Sequence, residues 1–294
     1  NLQFLVCACD CGRPHPVLTR ARAFLSGNTK SCGCRVHRPS VRWKGYENLG
    51  ESYICTLRHS AKNRKIEFND DVNTKYLWEL FQIQKNLCAL SGIPIFIHRN
   101  FMKNRNLNTA SIDRINSLIG YTKDNIRWVN KDINNIKGTL SDIELFYWCN
   151  LIANYSRCSL NWQQNDTVYY DKALKSFGQI NGDFIYNIWY KAKSRNIEFN
   201  LTAQDCWRQF TKQGGICALS GEQLTIEYHN KKEHRIITGS VDRIDSNLGY
   251  SPTNIVFIHK KINKMKWDIN VDLFLKYCTD IHKYNLKPMT QTQN

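Results

Sequence analysis

No stretch of this chain is apolar for long enough to cross a bilayer, which sets a helical membrane protein aside. Nor does a charged-then-apolar leader with a small-residue cleavage site open it. The chain starts at Asn1 rather than Met, so any signal on a preceding piece would lie outside it. Acid is in short supply: 25 Asp plus Glu stand against 41 Lys plus Arg, a formal charge of +16. An excess of that size draws polyanions, nucleic acid first among them. Aromatic rings lie among the basic residues, as in Trp43-Lys44, Arg127-Trp128, Trp189-Tyr190-Lys191 and Lys266-Trp267. That mixture suits stacking and phosphate contact, although a core would use the same rings.

Cysteine, by contrast, is plentiful: there are twelve. Five fall in the first 34 residues, and the others are scattered through apolar segments such as Phe146-Tyr147-Trp148-Cys149. Scattered thiols with closely paired ones indicate a reducing compartment and a metal site rather than a disulfide framework. The expected location is therefore intracellular, in a bacterial or phage-infected cell or an organelle. Residues 1–40 read as a small basic module in which Cys9, Cys11, Cys32 and Cys34 supply four thiolates to one tetrahedral Zn²⁺. A segment so short and so poor in apolar residues would hardly fold without such a crosslink. A free-thiol segment is the alternative.

The main feature is a repeat. Ser111–Ile126 reads SIDRINSLIGYTKDNI and Ser240–Ile255 reads SVDRIDSNLGYSPTNI, with nine identities. Asp113 and Asp242 are 129 positions apart (242 − 113), as are the Cys88–Gly92 and Cys217–Gly221 phrases, both CALSG. Upstream, AKNRKIEFN at Ala61–Asn69 matches AKSRNIEFN at Ala192–Asn200. A unit this long is a duplicated domain rather than a solenoid repeat. The division is 1–40, a first copy over 41–155, a linker over 156–176 and a second copy over 177–294. Duplication within one chain can mimic a homodimer, so a monomer with an internal pseudo-two-fold is expected.

Helical spacing covers Tyr53–Lys65 and Tyr186–Arg195, and Asn73/Thr74 and Thr202 read as helix caps. Strands are expected at Thr109–Arg114 and Gly239–Ile244, then at Asn125–Val129 and Asn254–Ile258, with Gly-Tyr loops between them. Short helices follow at Asn130–Lys137 and His259–Lys266, and amphipathic closing helices at Asp142–Asn154 and Asn270–His282. The AKxRxIEFN phrases admit a plain reading, a solvated helix face that leads into a core strand at Ile66–Phe68 or Ile197–Phe199, beside a favoured one of phosphate contact. This strand–loop–strand–helix order sets Asp113 opposite Asn134 and Asp242 opposite Asn263. A carboxylate with an amide oxygen suits Mg²⁺ (or Mn²⁺) that completes its shell with water and phosphate.

The pattern D-R-I-x-S-x-x-G-Y-x-x-x-N-I, followed by K-x-I-N-x-x-K, resembles the HNH (ββα-metal, His-Me finger) endonucleases, especially phage and homing-type members. The N-terminal CDCG…SGNTKSCGC is similar to zinc-binding segments fused to such enzymes. The resemblance implies an α+β fold, with two tandem ββα-metal domains, flanking helices and a small zinc-ribbon-like module. It implies that Asp113, Asn134, Asp242 and Asn263 bind metal and that Asn125 and Asn254 organise the loops. It also implies DNA as partner and phosphodiester hydrolysis as activity.

The chain departs from the family where a general-base His follows the Asp: it has Arg114 and Arg243, which stay protonated but can clamp a phosphate. Only the second copy carries Asp245 and His259, so His259 is a candidate base or extra ligand, or simply a helix cap, and the second site is expected to dominate. Cys88 and Cys217 lack knuckle partners and read as core thiols. Lys62, Arg64, Lys65, Lys191, Lys193 and Arg195, with Lys137 and Lys266, are candidate phosphate contacts. A non-catalytic DNA-binding protein with degenerate HNH domains is the competing expectation, and an RNA-processing nuclease a third.

Overall fold

The computed structural model describes residues 3–8, 17–30, 45–97, 108–155, 176–226 and 237–286. Cys9, Cys11, Cys32 and Cys34, the expected zinc ligands, lie outside these residues, as does most of the linker. In chain order, β1 (Phe4–Cys7) pairs antiparallel with β2 (Val17–Arg20), and α1 (Ala21–Leu25) follows. β3 (Gly45–Tyr46) and β4 (Leu49–Gly50) form a minimal hairpin before α2 (Glu51–Asn63) and α3 (Thr74–Ile83). The first repeated phrase folds as β5 (Ala110–Arg114), β6 (Ile126–Asn130) and α4 (Lys131–Lys137), closed by α5 (Asp142–Asn154). The second copy gives α6 (Gly182–Ser194), α7 (Ala203–Lys212), β7 (Gly239–Arg243), β8 (Ile255–His259), α8 (Lys260–Lys266) and α9 (Val271–Asn285). The fold is mixed α+β with small two-stranded sheets.

Local chemistry explains the boundaries. The Asn73 side chain accepts from Tyr76 N to start α3, and Thr202 and Asp205 form a capping box on α7. Ser141 and Glu144 do the same for α5, which satisfies backbone donors that a helix start otherwise leaves bare. The expected strands at Ile66–Phe68 and Ile197–Phe199 are not strands. Each makes one isolated bridge, Phe68 to Tyr121 and Phe199 to Tyr250, with Tyr121 N donating to Glu67 O and Tyr250 N to Glu198 O. The AKxRxIEFN phrase is thus stitched to the Gly-Tyr loop of its own copy. Gly249 is required by this close approach, because a Cβ there would lie 2.7 Å from the Glu198 carbonyl oxygen.

Each hairpin rests on its own apolar set. Trp128 is fully buried, stacked on Tyr53 and edge-on to Phe81, while Phe257 meets Phe184 and Phe210. Cys88 and Cys217 are buried within that core. Gln84 and Gln213 were missed by sequence reasoning. Each bonds both the N–H and the C=O of its facing strand residue, Trp128 or Phe257, and so completes a strand edge.

The two copies meet through their closing helices, α5 against α9. The contacts are reciprocal: Tyr284 covers Gly92 and Tyr155 covers Gly221, both glycines having positive φ. Trp148 lies against His259 at 4.5 Å between ring centroids, while Tyr277 donates to Asp132 at 3.3 Å. Among the described residues, no helix is long and apolar enough to cross a membrane.

Candidate functional site

The repeated polar residues gather where each hairpin meets its short helix. On α4, Asn134 and Lys137 share a face (i, i+3) and meet Ser111 and Asp113, which alternate onto one face of β5. Asn134 Nδ2 donates to Ser111 Oγ and Ile112 O, both at 3.0 Å. Asn263 Nδ2 repeats this with Ser240 Oγ at 3.0 Å and Val241 O at 3.3 Å. In both residues the amide nitrogen is committed, and the amide oxygen has no hydrogen bond among the described residues.

Asp113 is 3% exposed and held from both sides. Lys137 Nζ reaches Oδ1 and Arg127 Nε reaches Oδ2, each at 2.9 Å. Arg127 stands opposite Asp113 in the β5–β6 register and also grips Asp142 at the start of α5. Burial alone would weaken the Arg127 charge, but the bond to Asp142 and the nearness of both carboxylates hold its pKa above the ordinary value. In the second copy Val256 occupies the register position opposite Asp242. Asp242 is more open and has one cationic partner among the described residues, Lys266 at 3.0 Å. Burial raises its pKa despite the opposing pull of Lys266 and Arg243.

Several expected roles change. Lys137 and Lys266 are turned inward, 0% and 4% exposed at the side chain, so they neutralise the aspartates and are not surface grips for a phosphate backbone. Arg114 Nη1 donates to Ser117 O and Ile119 O, and Arg243 Nη1 to Ser246 O and Leu248 O, each guanidinium lying over the Gly-Tyr ring. These arginines hold the loop. Arg64 and Arg195 donate to the hydroxyls of Tyr121 and Tyr250, whereas Lys62, Lys65, Lys191 and Lys193 are exposed. Lys193 also lies over the Trp189 ring. Asn125 and Asn254 tie their loops together: Asn125 accepts from Asn116 N and donates to Asn116 O and Gly120 O, and Asn254 repeats the set on Asp245 and Gly249. Asp245 adds a local turn by accepting from Asn247 N.

His259 is a helix cap: its Nδ1 accepts from Lys261 N, as the Asn130 side chain accepts at the matching place in the first copy. It pairs with Gly239 in register, three residues from Asp242, or roughly 10 Å along the strand. The structure therefore does not bring His259 beside Asp242. Sequence reasoning also passed over Lys260. Burial first, and then the charge of Lys191, lower its pKa.

A divalent ion needs hard, net-negative donors. The first copy does not fit one, because both Asp113 oxygens lie against cationic nitrogens. The second fits better: Asp242 is a half-buried carboxylate less fully neutralised, with Asn263 on the facing helix. Among the described residues, no three His, Cys, Asp or Glu side chains cluster as a metal site.

No family model matches this chain, and no solved structure does. It is 28% identical over 183 residues to "Uncharacterized protein R423" of Acanthamoeba polyphaga mimivirus. The match takes in 60% of this chain and spans 30% of that viral protein's length.

Proposed function

We propose that this chain acts on DNA through two HNH-like ββα units, the second hydrolysing phosphodiester bonds with Mg²⁺ or Mn²⁺ and the first serving as a binding scaffold. The observation that carries the reading is the exchange of Arg127 for Val256 opposite the repeated aspartate. Among the described residues, it leaves Asp242 with one ion-pair partner where Asp113 has two. Asp242 and Asn263 are the residues that would hold the ion. Bound there, it would polarise a phosphate and stabilise the departing 3′ oxygen. Lys62, Lys65, Lys191 and Lys193 would meet phosphates, and the reciprocal α5–α9 seam would let the monomer present its copies as a pseudo-dimer does. Zinc on Cys9, Cys11, Cys32 and Cys34 belongs to the same proposal, as a basic module adding affinity.

Arg114 and Arg243, folded back on their loops with no histidine in their place, favour a second reading: DNA binding without cleavage. A plasmid-nicking assay with Mg²⁺ and Mn²⁺ separates the two. The leading reading expects nicking that Asp242→Asn lowers about 10- to 100-fold while Asp113→Asn, assayed at a temperature where it stays folded, spares most of it. Intact supercoiled plasmid, with binding that weakens as salt rises, would leave only the second reading. Equal loss in both variants would remove the asymmetry.

A further inference from the structure

We propose that Trp267 and Lys264 form a nucleotide-binding site on the second copy, Trp267 stacking on a base and Lys264 meeting a neighbouring phosphate. The proposal rests on the reading of this chain as a DNA-acting protein. Trp267 is 68% exposed, an unusual place for so large a ring. It also closes α8 with φ +47° and ψ −113°. At the matching position the first copy has Gly138, with φ +54° and ψ −111°. This backbone turn belongs to glycine, and an L side chain there is strained. Among the described residues no other ring stacks on Trp267 to offset that strain. Strain kept at an exposed aromatic is what a ligand contact would explain.

The surroundings agree. Lys266, the preceding residue, is the partner of Asp242, so Trp267 follows directly in the chain on a residue of the proposed reaction site. Lys264 is exposed and three residues back on the same helix, where the first copy has Asn135. Across the whole short helix the second copy reads KKINKMKW and the first KDINNIKG. Lys260, Lys261 and Lys264 thus replace a set in which Asp132 and Asn135 dilute the charge. An exposed ring just past the end of a helix that bears exposed lysines matches a single-stranded or locally unpaired nucleotide, because every base offers a π-face and every linkage a phosphate.

The test uses the full chain with fluorescently labelled single-stranded and duplex DNA in buffer free of Mg²⁺ and Mn²⁺, so that no cleavage intervenes. Trp267→Gly should weaken single-strand binding about 5- to 100-fold. Its urea midpoint should not fall, because glycine suits the turn. Trp267→Phe should keep most of the affinity. Lys264→Asn should weaken binding and flatten the log affinity against log salt slope by about 0.7. Unchanged single-strand affinity in Trp267→Gly, or a lower urea midpoint marking a merely structural ring, would overturn this site and leave the wider DNA reading standing. If the unaltered chain bound no DNA, both would fall.

Discussion

At the scale of single residues, the polar groups repeated in the two copies divide into those that shape loops and those that meet between hairpin and short helix. Asn125, Asn254, Arg114 and Arg243 spend their donors on backbone carbonyls and so fix the Gly-Tyr loops. His259 spends its Nδ1 on the start of α8. Burial, ahead of the opposing Glu222 and the neighbouring Lys261 and Lys260, keeps its pKa below the ordinary 6.5. A group lowered in this way adds stability above its unfolded value, and that stability drains as pH falls through the folded value. Protonation also removes the acceptor. Urea melts at pH 8 and pH 5 should therefore show the wild type losing about 1 kcal/mol more than His259→Asn, which carries the first copy's cap residue. Equal losses would show that the cap is not pH-sensitive.

At the scale of elements, much of each copy was legible in advance. The capping residues Asn73 and Thr202, the paired strands, the short helix after them and the closing helix all follow from periodicity and end signals. Two things were not. Ile66–Phe68 and Ile197–Phe199 carry strand-like residues but find only one bridge each, because their neighbour is a loop rather than a strand. Lys137 and Lys266 look like surface lysines by type, and only the hairpin's curl over their helix reveals an inward carboxylate.

The exchange of Arg127 and Asp142 for Val256 and Val271 was visible in the letters, yet its meaning needed the register. An ion pair in one copy stands where the other has two aliphatic residues. Removing one partner of such a pair costs more than replacing both. Arg127→Val alone should cost about 3 kcal/mol. Arg127→Val with Asp142→Val should recover at least about 1 kcal/mol of it, in a denaturant double-mutant cycle. Additive losses would argue that the pair is not coupled.

At the scale of the molecule, the duplication was plain from the sequence, but the way its halves meet was not. Glycine at 92 and 221 reads as an ordinary turn after CALSG; the tyrosine that covers each comes from the opposite copy. Gly92→Ala or Gly221→Ala would strain a positive φ and displace that ring. Each should cost about 1–2 kcal/mol. The double variant should split calorimetric unfolding of residues 45–286 into two steps where the wild type shows one. A single step in the double variant would mean that the seam does not couple the halves.

That mutual covering also constrains how the halves can diverge. A duplicated segment is ordinarily free to decay once its twin suffices. Here each copy must go on supplying the tyrosine and the helix that shelter its neighbour, so its polar residues can change, as Arg127 and Val256 do, while its outline cannot.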